Sequence, residues 1–208
     1  METWSDEEAR RFLRVAGEST YGPIWIVALT KGLRKGELLG LRWQDLELDR
    51  GLLRVRQTVG TLHGQIEFKG TKRPKSRREM ELRAWVVAAL RAHKIRQTER
   101  RLELGPLWTD HDLVFTNAHG GPIDPNNVDR DYERLVKKAG VKRIRIHDLR
   151  HSYATLALST GEHVKVVSET LGHEDVATTL RTYAHVLPEQ RRALADKMEA
   201  LLLGERAG

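Results

Sequence analysis

The chain has no cysteine, which excludes disulfides, thiolate-bound zinc and iron–sulfur clusters and is compatible with a reducing compartment. It also lacks long apolar runs: "PIWIVAL" and "WVVAAL" fall far short of the roughly 20 residues needed to cross a bilayer. No secretory signal opens it, so the cytoplasm is the expected place of work and no membrane partner is expected. Internal repeats and low-complexity linkers are missing as well. Aromatic residues make up only 6% of the chain, and it has four tyrosines, so the placement of each tyrosine carries information.

What is present is basic. A length of 208 residues, 39% hydrophobic and 31% charged, describes an ordinary globule able to bury a core as one domain. The formal net charge of +7 points to an acidic partner, with nucleic acid the first choice.

Ser5 followed by Glu8 reads as a capping box opening a helix that runs to Gly17. Pro23 to Lys31 reads as a second helix, and Leu38, Leu39 and Leu41 mark a short third. Between Asp49 and Leu82 the period changes to alternation in "GLLRVRQTV", "GQIEFK" and "RREMEL", which predicts one small antiparallel sheet. Helices resume with "RAWVVAALRAHKIRQTER" and, after the turn-rich "TNAHGGPIDPNN", with a helix near Val128 to Lys138 ended by Gly140. Three pieces follow: "HDLRHSYATLAL", ended near Gly161; "HVKVVSETL", ended by Gly172; and "DVATTLRTYAHV", stopped by Pro188. A tail from Pro188 carries an apolar stripe through Leu194, Met198, Leu201 and Leu202. The expected fold class is mainly α with a small antiparallel β-sheet (α+β), in a single domain over residues 1–208.

Two basic runs stand out. "KGTKRPKSRR" holds Lys69, Lys72, Arg73, Lys75, Arg77 and Arg78 without an acid, where two strands should join. From Lys137 to Arg150, Asp148 is the only acid among Lys137, Lys138, Lys142, Arg143, Arg145 and Arg150. Each run is either a solvated face or a surface for a polyanion. In "HDLRH", His147 and Arg150 share one helical face and can donate to the same anion. His147 and His151 also have the spacing of a zinc-binding helix, but Asp148 is shorter than the glutamate such a motif uses and Arg150 would set a cation beside the metal. Arg34 is either a helix-start arginine paired with Glu37 or an anion ligand. His173, after the helix stop Gly172, is either a cap or a projecting donor. Tyr183 is either core or a nucleophile.

Arg34 in "GLRKGELLGLRW", Lys72 in "TKRPKSRREMEL", His147 and Arg150 in "HDLRHSYATL", His173 in "LGH" and Tyr183 in "TTLRTYAHV" occur in the order of the tyrosine recombinases, the phage integrase family, which the chain resembles from about Ser5 to about Leu202. The resemblance implies transfer of a DNA phosphodiester onto Tyr183, giving a 3′-phosphotyrosyl link and a free 5′-hydroxyl, with no cofactor, metal or ATP. It assigns Arg34 and Arg150 to the phosphate, Lys72 to protonation of the leaving oxygen with Lys75 in reserve, His147 to the tyrosine proton or the phosphate, and His173 to a phosphate oxygen. Glu37 and Asp148 are expected to support the arginines and histidine. Lys69, Arg73, Lys75, Arg77, Arg78, Arg143 and Arg145 are expected to meet the DNA. His151 and His185 receive no chemical role.

The same resemblance implies double-stranded DNA as partner, a monomer in solution that forms a tetramer on DNA, a protomer-linking tail over about 188–203, and a nucleoid-associated protein of bacterial or phage origin. Core-binding and arm-binding domains, usual ahead of this region in the family, are expected to be absent. Two rival readings are a type IB topoisomerase, which commonly has lysine where His147 stands, and a catalytically silent DNA-binding module.

Overall fold

The computed structural model describes residues 2–62, 65–70, 77–173, 175–184, 198–199 and 202–203. The Ser5 hydroxyl accepts from the Glu8 N–H and Glu8 accepts from the Ser5 N–H, so the expected capping box forms. Helix α1 (Asp6–Ala16) follows and buries Ala9, Phe12 and Ala16, packing on α5 (Pro125–Ala139). Helix α5 begins upstream of Val128 because Asp124 caps it and Pro125 fits its first turn. Helix α2 (Gly22–Lys31) has Ile24, Trp25, Val27, Ala28 and Leu29 buried, as suits an inner helix.

Trp4, Phe12, Trp25 and Tyr132 gather with ring centroids 4.7 to 6.1 Å apart. Burying one such side chain as Phe12 is worth about 1.5–3 kcal/mol relative to exposure. Asp131 threads the cluster with polar contacts, accepting from Trp25 Nε1 at 3.0 Å and from Ser19 Oγ at 2.9 Å.

The short helix α3 (Lys35–Leu39) stops at Gly40, so Leu41 is buried beyond its end. Among the described residues the single sheet expected from the alternation is instead two. Strands β1 (Leu46–Glu47), β2 (Leu52–Val55) and β5 (Arg78–Glu81) form an antiparallel sheet in the order β1-β2-β5, while β3 (Gln57–Leu62) and β4 (Gln65–Gly70) form a separate hairpin. Alternation marks strands, but it carries no information on which edge pairs with which. The turn that Gly51 makes at φ +62 brings β2 back on β1.

Helix α4 (Ala84–Leu104) leads to α5 through an irregular segment, and α6 (Ile146–Ser159), α7 (Val164–Leu171) and α8 (Val176–Tyr183) complete the described helices. No described helix is long and apolar enough to cross a membrane. The expected tail stripe lies outside the described residues, apart from Met198 and Leu202, both exposed.

Two apolar clusters result. The larger spans α1 to α5 and reaches Leu149; the smaller consists of Ala154, Leu158, Val167, Leu171 and Tyr183. Helix α6 belongs to both, with Arg150 on it at the changeover between them.

Candidate active site

Arg150 is 3% exposed, and a buried guanidinium needs acceptors for its fork. It finds them at the C-terminal ends of two helices. Its Nη1 donates to the Gly32 carbonyl at 2.8 Å, just past α2, and its Nη2 donates to the carbonyl of Leu171, the last residue of α7. Carbonyls at a helix end have no intrahelical donor and lie at the negative pole of the helix, so a cation suits them. Gly32 and Gly172 create both ends by turning left-handed, at φ +60 and +65. A Cβ on Gly32 would come 2.5 Å from Tyr153 Cδ1, so close packing adds to the conformational demand. Burial first, and then the Arg34 charge, pull the Arg150 pKa down to about 9, which leaves it cationic at neutral pH.

Arg34 stands just ahead of α3, its Nη1 2.9 Å from Glu37 Oε1, with its side chain 42% exposed. Glu37 is 3% exposed and holds a second cation that the sequence reading put in the exposed basic loop. Arg78 is instead half-buried in β5 with its side chain 6% exposed: it donates from Nη2 to Glu37 Oε2 at 2.8 Å and from Nε to the Thr170 carbonyl at 2.6 Å. Its DNA-facing role is corrected for that reason, since both edges of its fork are spent inside the protein. Burial raises the Glu37 pKa, but hydrogen bonds and charge from Arg78 and then Arg34 outweigh it and bring the carboxyl down to about 2.

The ionised Glu37 therefore contributes stability above its ordinary value of 4.5, and this is lost as pH falls toward 2. Glu37→Gln is expected to destabilise the fold by about 3 kcal/mol at neutral pH and to flatten the acid loss of stability. Urea midpoints at neutral and acidic pH check this; parallel profiles for the two proteins would refute it.

His147 and His151 lie one turn apart on α6 with ring centroids 5.1 Å apart, edge to face. His151 Nδ1 is 2.6 Å from Tyr183 Oη. Tyr183 is 1% exposed, and burial drives its pKa up to about 12 against the opposing pull of Arg150, so the phenol is protonated. His173 Nδ1 lies 2.8 Å from Thr179 Oγ1, which places the ring between α7 and α8. Burial first, then Arg150 and Arg34, push the His173 pKa down to about 4; burial and Arg150 likewise lower that of His147.

Arg34, His147, Arg150 and His173 are thus close enough for their charges to act on one another, and Tyr183 senses Arg150. Lys72, Arg73 and Lys75 lie outside the described residues. Arg77 is exposed, and Lys69 is 3.0 Å from Glu67. Arg143 forks onto Glu133 at 2.7 and 2.8 Å, and Arg145 onto Asp148 at 2.9 Å. Asp148 spends its carboxylate on Arg145 and on the start of α6, and among the described residues no hydrogen bond joins it to Arg150 or His147. Asp148 caps the helix that carries both residues, and its charge raises the His147 pKa against the arginines around it. A hollow of about 320 Å³ opens beside His147, lined by Lys35, Arg143 and Arg145.

Sequence reasoning put Arg78 at the DNA rather than against Glu37 and gave His151 no role. Arg78 was hidden in a basic run, although its neighbour Glu79 begins the strand alternation. His151 had a signal in its position, one turn from His147 and directly after Arg150. Such a site can grip a tetrahedral anion with guanidinium and imidazole donors and present a phenol to it.

The chain is 31% identical to the tyrosine recombinase XerC-like protein of Caldanaerobacter subterraneus subsp. tengcongensis, over 98% of this chain and 55% of that protein. Its fold matches the crystal structure of XerA recombinase with a TM-score of 0.72 at 28% identity, over 95% of this chain and 65% of that one. It also matches XerH site-specific recombinase bound to difH substrate, with a TM-score of 0.65 at 27% identity, over 90% of this chain and 51% of that one. The chain spans about half the length of the curated relative it matches. The sequence pattern of the phage integrase family covers residues 23–190, which include every residue of the site just described, and the chain belongs to that family.

Proposed function

We propose that this chain is the catalytic part of a site-specific DNA recombinase, cutting and rejoining double-stranded DNA through a 3′-phosphotyrosyl intermediate. The observation that carries this reading is that Arg34 ahead of α3, His147 and Arg150 on α6 and His173 after α7 come near enough for the arginine charges to add to burial in depressing both imidazole pKa values, with Tyr183 within the influence of Arg150. The XerH site-specific recombinase was captured bound to difH substrate in a pre-cleavage complex, which supports reading DNA as the partner.

In this reading the scissile phosphate lies against Arg34 and the free N–H groups of Arg150, whose fork is pre-aimed by the two helix ends. Thr179 donates to His173 Nδ1, which leaves Nε2–H to donate to a phosphate oxygen. His147 faces the same anion. The Tyr183 oxygen attacks phosphorus, charge builds on the non-bridging oxygens, and the 5′ oxygen leaves with a proton from Lys72. Guanidinium groups supply the electrostatic role that a metal fills elsewhere, so neither metal nor ATP takes part. The ester energy is kept in the phosphotyrosine, and a 5′-hydroxyl reverses the step.

The described elements act as one catalytic domain, working in the cytoplasm on nucleoid DNA. The protein is a monomer in solution and a tetramer on DNA, which light scattering with and without a bound duplex measures; a stable tetramer free of DNA would contradict it. The chemistry itself is tested with a pool of nicked duplexes of randomised sequence, from which the broken strand end diffuses away after cleavage. A covalent adduct that survives detergent and yields to protease is the expected result. Duplex binding without any adduct across the pool would leave only a DNA-binding module.

A further inference from the structure

We propose that His151 is a catalytic residue, the group that takes the proton from Tyr183 when its oxygen attacks phosphorus. The inference rests on the proposed function and deepens it, since the family resemblance gave His147 the tyrosine proton or the phosphate and left His151 without a role.

The geometry is direct. The Tyr183 ring is locked among Ala154, Leu158, Val167 and Leu171, and its hydroxyl meets His151 Nδ1 at 2.6 Å. A buried phenol O–H requires an acceptor, and among the described residues His151 is the one hydrogen-bonded to it. The charged and titratable groups around His151 are His147, Asp148, Arg150 and Arg145 at the start of its own helix, Tyr183 from α8, and His173 from the turn before α8. Burial and then His147, Arg150 and Arg145 lower its pKa against the opposing Asp148, so the ring is neutral, and with the Tyr183 O–H as donor Nδ1 is the nitrogen that carries the lone pair. His147, on the preceding turn, meets His151 edge to face.

The step balances. The O–H bond of Tyr183 breaks as the Oη–P bond forms, the proton moves to Nδ1, and the ring becomes an imidazolium while the P–O5′ bond breaks and Lys72 protonates the departing oxygen. On religation Lys72 takes back the proton of the 5′-hydroxyl as its oxygen attacks phosphorus, the Oη–P bond breaks, and Tyr183 leaves with the proton that His151 returns.

Single-turnover cleavage of a nicked suicide duplex, followed as a function of pH, tests the assignment. His151→Asn keeps a carbonyl that accepts the phenol hydrogen bond but takes no proton. It is expected to form adduct roughly 10²–10⁴-fold more slowly, to bind duplex as the wild type does, and to lose the acidic limb of the pH–rate profile, which His147→Asn retains. His151→Ala, should the asparagine variant fold poorly, is expected to regain rate with added imidazole. Cleavage by His151→Asn within a few-fold of wild type, an acidic limb that disappears with His147 instead, or no response of His151→Ala to imidazole overturns the proposal. Tyr183→Phe runs beside these variants: an adduct that persists in it sinks the recombinase reading, whereas its loss together with a fast His151→Asn sinks this inference alone.

Discussion

Tyr183→Phe is expected to abolish the covalent protein–DNA adduct while leaving fold and duplex affinity nearly unchanged. The ring, 1% exposed in the smaller apolar cluster, is kept whole by phenylalanine, so packing around Leu158, Val167 and Leu171 survives. What is removed is one oxygen and its hydrogen bond to His151, which costs stability on the order of 1 kcal/mol. Catalysis has no such tolerance, because in the proposed reaction the Tyr183 oxygen is the atom that joins phosphorus. Tyr132 is buried in the aromatic cluster of the larger core, and Tyr153 packs against the smaller cluster at the position of Gly32. Denaturing gels of nicked duplexes show the adduct, and a shifted band in the phenylalanine variant would mean that the nucleophile lies elsewhere.

Arg150 is the second position of large expected effect, since it clamps two helix ends and is proposed to bind the scissile phosphate. Arg150→Ala is expected to slow cleavage by on the order of a hundredfold to a thousandfold, the loss typical of deleting a positioned donor to a developing anion. It also leaves the Gly32 and Leu171 carbonyls without their donor at the ends of α2 and α7, at about 1–3 kcal/mol for each that stays buried. Arg150→Lys separates the two roles: lysine keeps the charge but presents a single ammonium, which cannot span two helix ends and a phosphate together. Its expected signature is a partial recovery of stability in urea with cleavage still slowed at least tenfold. A lysine variant that cleaves like the wild type would show that charge alone suffices and that the fork is not used.

Much of the architecture was readable from local chemistry. Ser5 and Glu8 cap α1, Gly32, Gly140 and Gly172 end α2, α5 and α7, and Pro23 sits in the first turn of α2, because caps and stops depend on residues a few positions apart. The spacing of "HDLRH" likewise put His147 and Arg150 on one helix. The basic run around Arg78 misled for a related reason: charge density in a sequence does not reveal which cation has a buried carboxylate waiting for it.

Residue types, their order and the helix stops are properties of neighbouring positions, and from them alone the mainly helical class, the family resemblance and the candidates Arg34, Glu37, His147, Arg150, His173 and Tyr183 follow. The pairing of the strands into a sheet and a separate hairpin, the withdrawal of Arg78 onto Glu37, the clamp on Arg150 and the contact of His151 with Tyr183 follow only from packing. They join residues 41, 118 and 32 positions apart for Arg78–Glu37, Arg150–Gly32 and His151–Tyr183, and a hydrogen bond formed across such a distance is decided by which surfaces the apolar clusters bring together.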